Sequence, residues 1–361
     1  PPFLGGSKKR GELGSAYFDA LSELFRPAVP GGADLVCYWF HKSLQQIQAG
    51  KLHAAGLVAT QAIRAGSNRA VLDAITADTP IFDAWSDEPW VNDGAAVRVS
   101  LVCFGREAGQ ARLNGQPVQT IHADLTAGDG LNLTQAQPLP ENTLTAFEGT
   151  KKYGDFDIAG SLARQWLNLP NPHGRSNAEV VKPWRNGQDL TKRPSDTWVI
   201  DFGTHCSEAD AALFEAPFAY VVLHVKPERA KVRRERTKRL WWLHEEARVS
   251  LRQALEGLPQ FLATPRVAKH RFFAFLDATV LPDTRLNVIA RADDATFGIL
   301  SSRIHEVWSL AQASIHGDGS DGGRPTYNAK SCFETFPFPA GLTPADTACQ
   351  RTEAVEGGAQ I

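Results

Sequence analysis

The sequence predicts an α/β chain: part of a doubly wound sheet over residues 1–150, then an α+β region. Two observations predict it. Helix-period and strand-like segments alternate between Ala33 and Gly105, the pattern of helices laid against a sheet. Past residue 150 this gives way to isolated helices, short strands and many Pro and Gly. At 361 residues the chain is long enough for two or three domains.

Taken in order, "ADLVCYWFHKSLQQIQAGK" (33–51) has helical spacing that places Leu35, Tyr38, Trp39 and Lys42 on one face, with Gly50 as the stop. "AGLVATQAI" (55–63) is a short apolar, β-branched run, the mark of a buried parallel strand. "SNRAVLDAI" follows as a helix, with Ser67 or Asn68 as its N-cap and Val71, Leu72 and Ile75 as its buried stripe. "IFDAW" (81–85) is a second strand. "AAVRVSLVCFG" (95–105) is a third, alternating Val97, Val99, Leu101 and Cys103 against Arg98, Ser100, Val102 and Phe104. "GQPVQTIHADL" suggests a small strand pair, and the domain boundary is expected near residue 150.

Beyond it, "TWVIDFG" is a strand and "SRIHEVWSL" a helix, while residues 213–247 form one long helix or two, interrupted at Pro227. "HGDGSDGGRP" (316–325) is a surface loop: no apolar strand feeds it, and no Lys-Ser/Thr helix follows as a phosphate loop requires. Residues 343–361 are small and polar and are expected to be a disordered tail.

Composition is that of an ordinary globular chain, 43% apolar and 22% charged, with a net charge of −2. The charge is unevenly spread. Residues 1–150 carry 11 Lys+Arg against 15 Asp+Glu, a balance of −4, and residues 151–310 carry 24 against 19, a balance of +5. The five cysteines (Cys37, Cys103, Cys206, Cys332, Cys349) are scattered, with no CxxC or Cys/His cluster. That argues against a zinc site or a disulfide framework. No apolar run approaches the ~20 residues that cross a bilayer. With no signal-type leader, a cytoplasmic location is expected.

"PPFLGGSKK", "AGLVATQAI", "IFDAWSDEPW" and "VRVSLVCFG", in this order, resemble the amino-group DNA methyltransferases. Within them the likeness is to adenine-specific enzymes of single-chain restriction–modification systems. "VAKHRFFAFLD", "DDATFGILSSRIHEVWSL" and "TYNAKSCFETFPFP" resemble the target-recognition domain that follows the catalytic domain in such enzymes. The likeness covers nearly all of residues 1–342. It implies a Rossmann-like methyltransferase sheet, of which residues 1–150 are the C-terminal half, then a DNA target-recognition domain over 151–342.

The resemblance also assigns residues. In that family an Asn-Pro-Pro-Phe/Tyr motif ends the fourth strand; Pro1, Pro2 and Phe3 match its last three positions, and the Asn is not in this chain. The chemistry accounts for those residue types. An exocyclic adenine nitrogen is a poor nucleophile because its lone pair is delocalised into the ring, so acceptors for its protons favour attack on a methyl sulfonium. The base must leave the duplex, and an aromatic face then replaces its lost stacking, a contribution of roughly 1–3 kcal/mol. S-adenosylmethionine is thus implied as cofactor of the complete protein. Nothing in the first third offers the glycine-rich turn that would hold it, since Gly5-Gly6 follows Phe3-Leu4 and not a strand. The expectation is a chain severed inside a catalytic loop, binding no cofactor and inert alone. Its N-terminal segment would lie on the same or a partner chain; otherwise the piece would self-associate through its exposed strand edge.

Three basic stretches are candidates for double-stranded DNA. "SKKRGE" supplies Lys8, Lys9 and Arg10, which read either as a solvated loop or as phosphate contacts. "KPERAKVRRERTKR" carries eight positive and two negative residues, with Arg229, Arg233 and Arg236 near one helical face. It reads either as a solvated helix or as a phosphate-tracking one. "TPRVAKHRFF", taken as a strand, puts Arg266 on one edge and Lys269 and Arg271 on the other, able to reach phosphates or guanine. The family resemblance adds Arg324, Tyr327, Asn328 and Lys330, in the loop running into "FETFPFP".

Two rival readings remain at this stage. One is a stand-alone DNA-binding specificity module with a degenerate methyltransferase half as scaffold. The other is an unrelated α/β enzyme acting on small molecules, for which the sequence offers no nucleophile, metal cluster or phosphate loop.

Overall fold

In the computed structural model, residues 4–92, 95–106, 109–127, 133, 136–316 and 324–348 are described. The chain divides into two compact units. The first comprises residues 1–136 and 312–325, the second 137–311 and 326–361. The division thus falls at Ala136, ahead of the composition change near residue 150, and the stretch 312–325 returns to the first unit.

The first unit is a mixed sheet with helices packed on it. It opens with α1 (Lys9–Leu13), α2 (Ser15–Phe25) and α3 (Cys37–Gln48), then β1 (Ala54–Thr60), α4 (Gly66–Asp78), β2 (Ile81–Asn92) and β3 (Ala95–Gly105). Two short strands, β4 (Arg112–Leu113) and β5 (Gln116–Pro117), close a sheet of order β1-β3-β2-β4-β5. Asn114 and Gly115, at φ 51° and 77°, form the tight turn between them, a conformation Asn and Gly adopt at least cost.

The α/β class is as the sequence predicts, but the parallel neighbours expected for β1 are not there. β3 lies between β1 and β2 and is antiparallel to both, Ala54 facing Gly105 and Ile81 facing Phe104. The helical crossover through α4 leaves β1 and β2 running the same way. The short β2–β3 link forces a hairpin and drops β3 into the slot between them.

The core forms where sequence period meets this sheet. α4 buries Val71, Leu72 and Ile75 as predicted, although its N-cap is Ala65 and Asn68 is turned inward. The predicted α3 face is buried in part: Leu35 and Tyr38 point in with Cys37, Phe40, Leu44 and Ile47, while Trp39 and Lys42 are exposed. Phe40 stacks on Phe104 of β3 at 6.1 Å between centroids. Burying side chains of this size is worth about 1.5–3 kcal/mol each.

The second unit holds two four-stranded sheets. One, of order β11-β10-β13-β6, is antiparallel throughout and is built from β6 (Ala146–Glu148), β10 (Gln260–Pro265), β11 (Ala274–Asp277) and β13 (Leu286–Ile289). The other, of order β12-β8-β9-β7, uses β7 (Asp157–Ala159), β8 (Val181–Arg185), β9 (Thr197–Ile200) and β12 (Leu281–Pro282). Helices α5 (Gly160–Leu167), α6 (Gly187–Thr191), α7 (Glu208–Ala212) and α8 (Glu215–His224) lie between strands of the second sheet and the basic segment.

That basic segment is not one long helix. It breaks into α9 (Lys226–Ala230) and α10 (Glu235–Arg239), with Pro227 in the first turn of α9 where its missing N–H costs nothing. Trp241 and Trp242, just beyond, are buried edge to face. α11 (Val249–Leu255), α12 (Asp294–Leu300) and α13 (Arg303–Gln312) follow. The expected tail is ordered at its start: Thr343 caps α14 (Pro344–Thr347), and residues 349–361 lie outside the described residues.

Among the described residues no helix is long and apolar enough to cross a membrane.

Candidate nucleic-acid interface

Pro1, Pro2 and Phe3 lie outside the described residues. The segment that follows them is held firmly. Leu35 N–H donates to the Leu4 carbonyl at 2.9 Å, and Gly6 N–H donates to Asp34 Oδ1 at 2.8 Å. Gly6 is pressed so closely on Gly32 that an added Cβ would overlap the Gly32 carbonyl.

The basic residues just beyond do not act as a set. Lys8 is exposed, without an ion-pair partner among the described residues. Lys9 is 0% exposed, with its ammonium 4.9 Å from the Tyr38 ring centroid and 3.4 Å from Tyr38 Oη. Burial pushes its pKa down. Arg10 is exposed and forked onto Asp19 at 2.6 and 3.1 Å. Lys9 therefore serves the fold and not a phosphate, because its side chain never reaches the surface.

Arg229 corrects the second stretch in the same way. It is 1% exposed, and its guanidinium donates to the carbonyls of Lys152 (2.8 Å), Leu243 (3.1 Å) and Thr237 (3.4 Å). The chain bends around this arginine between α9 and α10, so Arg229, Arg233 and Arg236 do not share a helical face. Arg233 and Arg236 are exposed, the latter donating to the Glu245 carbonyl at 3.3 Å.

The third stretch is the hairpin loop between β10 and β11 and not a strand, since β10 ends at Pro265 and β11 starts at Ala274. Val267 pairs antiparallel with Thr326, Tyr327 N–H donates to the Arg266 carbonyl at 2.7 Å, and Arg266 N–H donates to that of Arg285 at 2.8 Å. Two segments far apart in sequence are thereby laid side by side. Around this joint Lys269, His270, Asn328 and Lys330 are exposed, and Arg266 is half-exposed, 3.1 Å from Glu148. Arg324 is exposed too, at the start of β15 (Arg324–Thr326), which pairs with β14 (Ser314–His316).

Two of the expected DNA contacts point inward. Tyr327 is 1% exposed, and Arg271 donates to Thr264 Oγ1 at 2.9 Å and to the Pro265 carbonyl. Burial pushes the Arg271 pKa down and that of Tyr327 up. Tyr327 is buried and Arg271 half-buried, each held by hydrogen bonds that a base or phosphate would have to displace.

Just past Tyr327 the chain makes one π-helical turn (Ala329–Phe333), capped by Asn328 Oδ1 accepting from Lys330 N–H at 2.9 Å. Such wide turns are rare and recur at functional sites. This one buries Ala329, Cys332 and Phe333 and leaves Asn328 and Lys330 outside.

Sequence reasoning missed Glu148, Arg248, Asn287 and His305. Glu148 is shared between Arg266 and Arg248, and Asn287 Nδ2 donates to the Tyr327 carbonyl at 2.8 Å. The partners named for Glu148, Asn287 and His305 lie 22 to 118 residues away, so no local spacing signals them. Among the described residues no group of three or more His, Cys, Asp or Glu could hold a metal.

This fold is similar to that of a solved restriction–modification enzyme. The chain matches the Type IIL restriction–modification enzyme MmeI, solved in complex with DNA, with a TM-score of 0.72 at 20% identity. The match covers 94% of this chain and 46% of that one, so the chain spans under half of that enzyme's length, and the likeness is one of fold. The type IIG restriction endonuclease BpuSI aligns over 88% of this chain and 43% of its own, at 11% identity and a TM-score of 0.25, and carries no argument. No family model and no curated protein matches the chain.

Proposed function

We propose that the chain recognises a specific sequence in double-stranded DNA as part of an S-adenosylmethionine-dependent DNA adenine N6-methyltransferase of restriction–modification type. The observation that carries this reading is the joint between the Arg266–His270 loop and Thr326–Lys330. It gathers cationic and amide side chains, the types that read guanine and adenine edges, on one exposed turn-rich surface. The fold shared with an enzyme solved on DNA supports it. In this reading residues 1–150 are the C-terminal half of the catalytic domain and 151–342 the target-recognition domain. Lys8, Arg233, Arg236, Lys269, Arg324 and Lys330 meet phosphates, while Arg266 and Asn328 face bases.

The chain's own residues bind and orient DNA. Phe3 of the Pro-Pro-Phe segment supplies the aromatic face for an extruded adenine.

The test is selection from a random duplex pool with the 361-residue chain, followed by a salt titration. One enriched motif, bound with an affinity that falls steeply as salt rises, is the expected result. Where this chain is joined to a cofactor-binding half, the joined protein is then expected to methylate adenine within that motif. Absence of any enriched motif removes the recognition reading, and methyl transfer to cytosine removes the adenine assignment.

A further inference from the structure

Beneath the proposed DNA surface lies a cluster that the recognition reading leaves without a role. Tyr327 ties three elements together. Its N–H holds the Arg266 carbonyl at the start of the loop (2.7 Å), its carbonyl accepts from Asn287 of β13 (2.8 Å), and its hydroxyl is bonded to His305 Nε2 of α13 (3.0 Å). Arg271, at the far end of the same loop, folds back beneath it. Its guanidinium reaches Thr264 and the Pro265 carbonyl and lies 5.0 Å from the Tyr327 ring centroid. Thr264 in turn donates to the Phe272 carbonyl at 2.7 Å, so both ends of the loop are pinned to β10. Phe273 meets Tyr327 edge to face at 5.6 Å, and Phe336 meets His305 edge to face at 4.5 Å.

We propose that half-buried Arg271 and buried Tyr327 and His305 form a post that sets the base preference of the Arg266–His270 loop without touching DNA. This inference rests on the recognition reading above. Reading a base edge needs donors and acceptors placed within a few tenths of an ångström, because hydrogen bonds weaken steeply with misalignment. A loop of exposed Arg, Lys and His would otherwise sample many conformers. Phosphate contacts make no such demand, since a flexible lysine finds a phosphate oxygen from many loop shapes. Loosening the post therefore lowers selectivity between sequences and leaves non-specific affinity unchanged. The three are positioning residues, and the side chains that meet bases are Arg266 and its exposed neighbours.

Tyr327→Phe and Arg271→Lys in the 361-residue chain separate this from a merely structural role. The probes are two duplexes, the motif selected by the parent chain and a scrambled copy, with thermal unfolding followed in parallel. The expected result is a ratio of the two affinities reduced roughly tenfold, the scale of one mismatched base pair. Affinity for the scrambled duplex and its salt dependence should match the parent. A folded Tyr327→Phe chain that keeps the parent's ratio overturns the proposal, as does an equal loss of affinity for both duplexes. Should Arg271→Lys unfold, Tyr327→Phe, which removes one hydroxyl, decides alone. A parent chain that selects no motif fails the recognition reading itself and takes this inference with it.

Discussion

Asp34 and Asn68 exchange two hydrogen bonds across 34 residues of chain: Asp34 N–H donates to Asn68 Oδ1 at 2.7 Å, and Asn68 Nδ2 donates to Asp34 Oδ2 at 3.0 Å. The remaining carboxylate oxygen of Asp34 accepts from Gly6 N–H. One carboxylate thus links the start of α4 to the segment that follows the Pro-Pro-Phe stretch. Asp34→Ala leaves the Gly6 N–H and Asn68 Nδ2 without their carboxylate partner, while Asn68 Oδ1 still accepts from the backbone N–H of residue 34. The expected loss is about 1–3 kcal/mol of stability. Asn68→Ala should cost a similar amount, with the double variant costing less than the sum because the two share one network. Urea unfolding of the three variants checks this.

Arg229 and Arg233 are four residues apart, and opposite outcomes are expected of them. Arg229→Ala strands the buried Thr237 and Leu243 carbonyls, while the half-buried Lys152 carbonyl keeps the Glu245 N–H, and should cost about 3 kcal/mol. Arg233→Ala should leave the unfolding midpoint in place and weaken DNA binding evenly across sequences. Parallel urea and DNA titrations of the two variants read both effects.

Salt dependence counts the phosphates that a protein neutralises. Replacing Lys269 and Lys330 together by Gln should reduce the slope of log affinity against log salt by about 2, roughly one for each phosphate left without its lysine. An unchanged slope would remove these two lysines from the interface. Both are exposed, so the substitutions should not disturb the fold.

Acid should loosen the second unit. Burial, with Arg271 adding to it, pushes His305 from an ordinary value near 6.5 down to about 3. As pH falls through 6.5 the unfolded chain takes up a proton that the folded chain refuses until about pH 3. Stability is therefore complete above pH 6.5 and declines across that window, by up to about 1.4 kcal/mol per pH unit. His244, also buried and shifted down chiefly by burial, adds a loss of the same sign. His305→Gln should flatten the dependence of the urea midpoint on pH between 6.5 and 4.

Much of the fold was legible because short-range period is written locally. The α4 stripe of Val71, Leu72 and Ile75 follows from 3.6-residue spacing, and the alternation of 95–105 from a two-residue one. The α3 face was partly misread because its Trp and Lys flank a better-buried Phe40 and Leu44, and hydrophobicity alone does not say which apolar side meets the sheet. The hairpin loop at Arg266 was read as a strand because its alternation is real; the reversal is set by pairing of Gln260–Pro265 with Ala274–Asp277.

The sequence by itself determined the α/β class, most element positions and the basic stretches, since each rests on residues within a few turns of one another. Tertiary structure alone decided which cations reach solvent. Lys8 and Lys9 are neighbours, and Lys269 and Arg271 lie two positions apart, yet Lys8 and Lys269 are exposed while Lys9 is buried and Arg271 is half-buried and bonded to Thr264. The physical reason is that burial of a charge depends on the carbonyls, hydroxyls and rings waiting for it. For Lys9 and Arg229 these come from residues as far as 29 and 77 positions away.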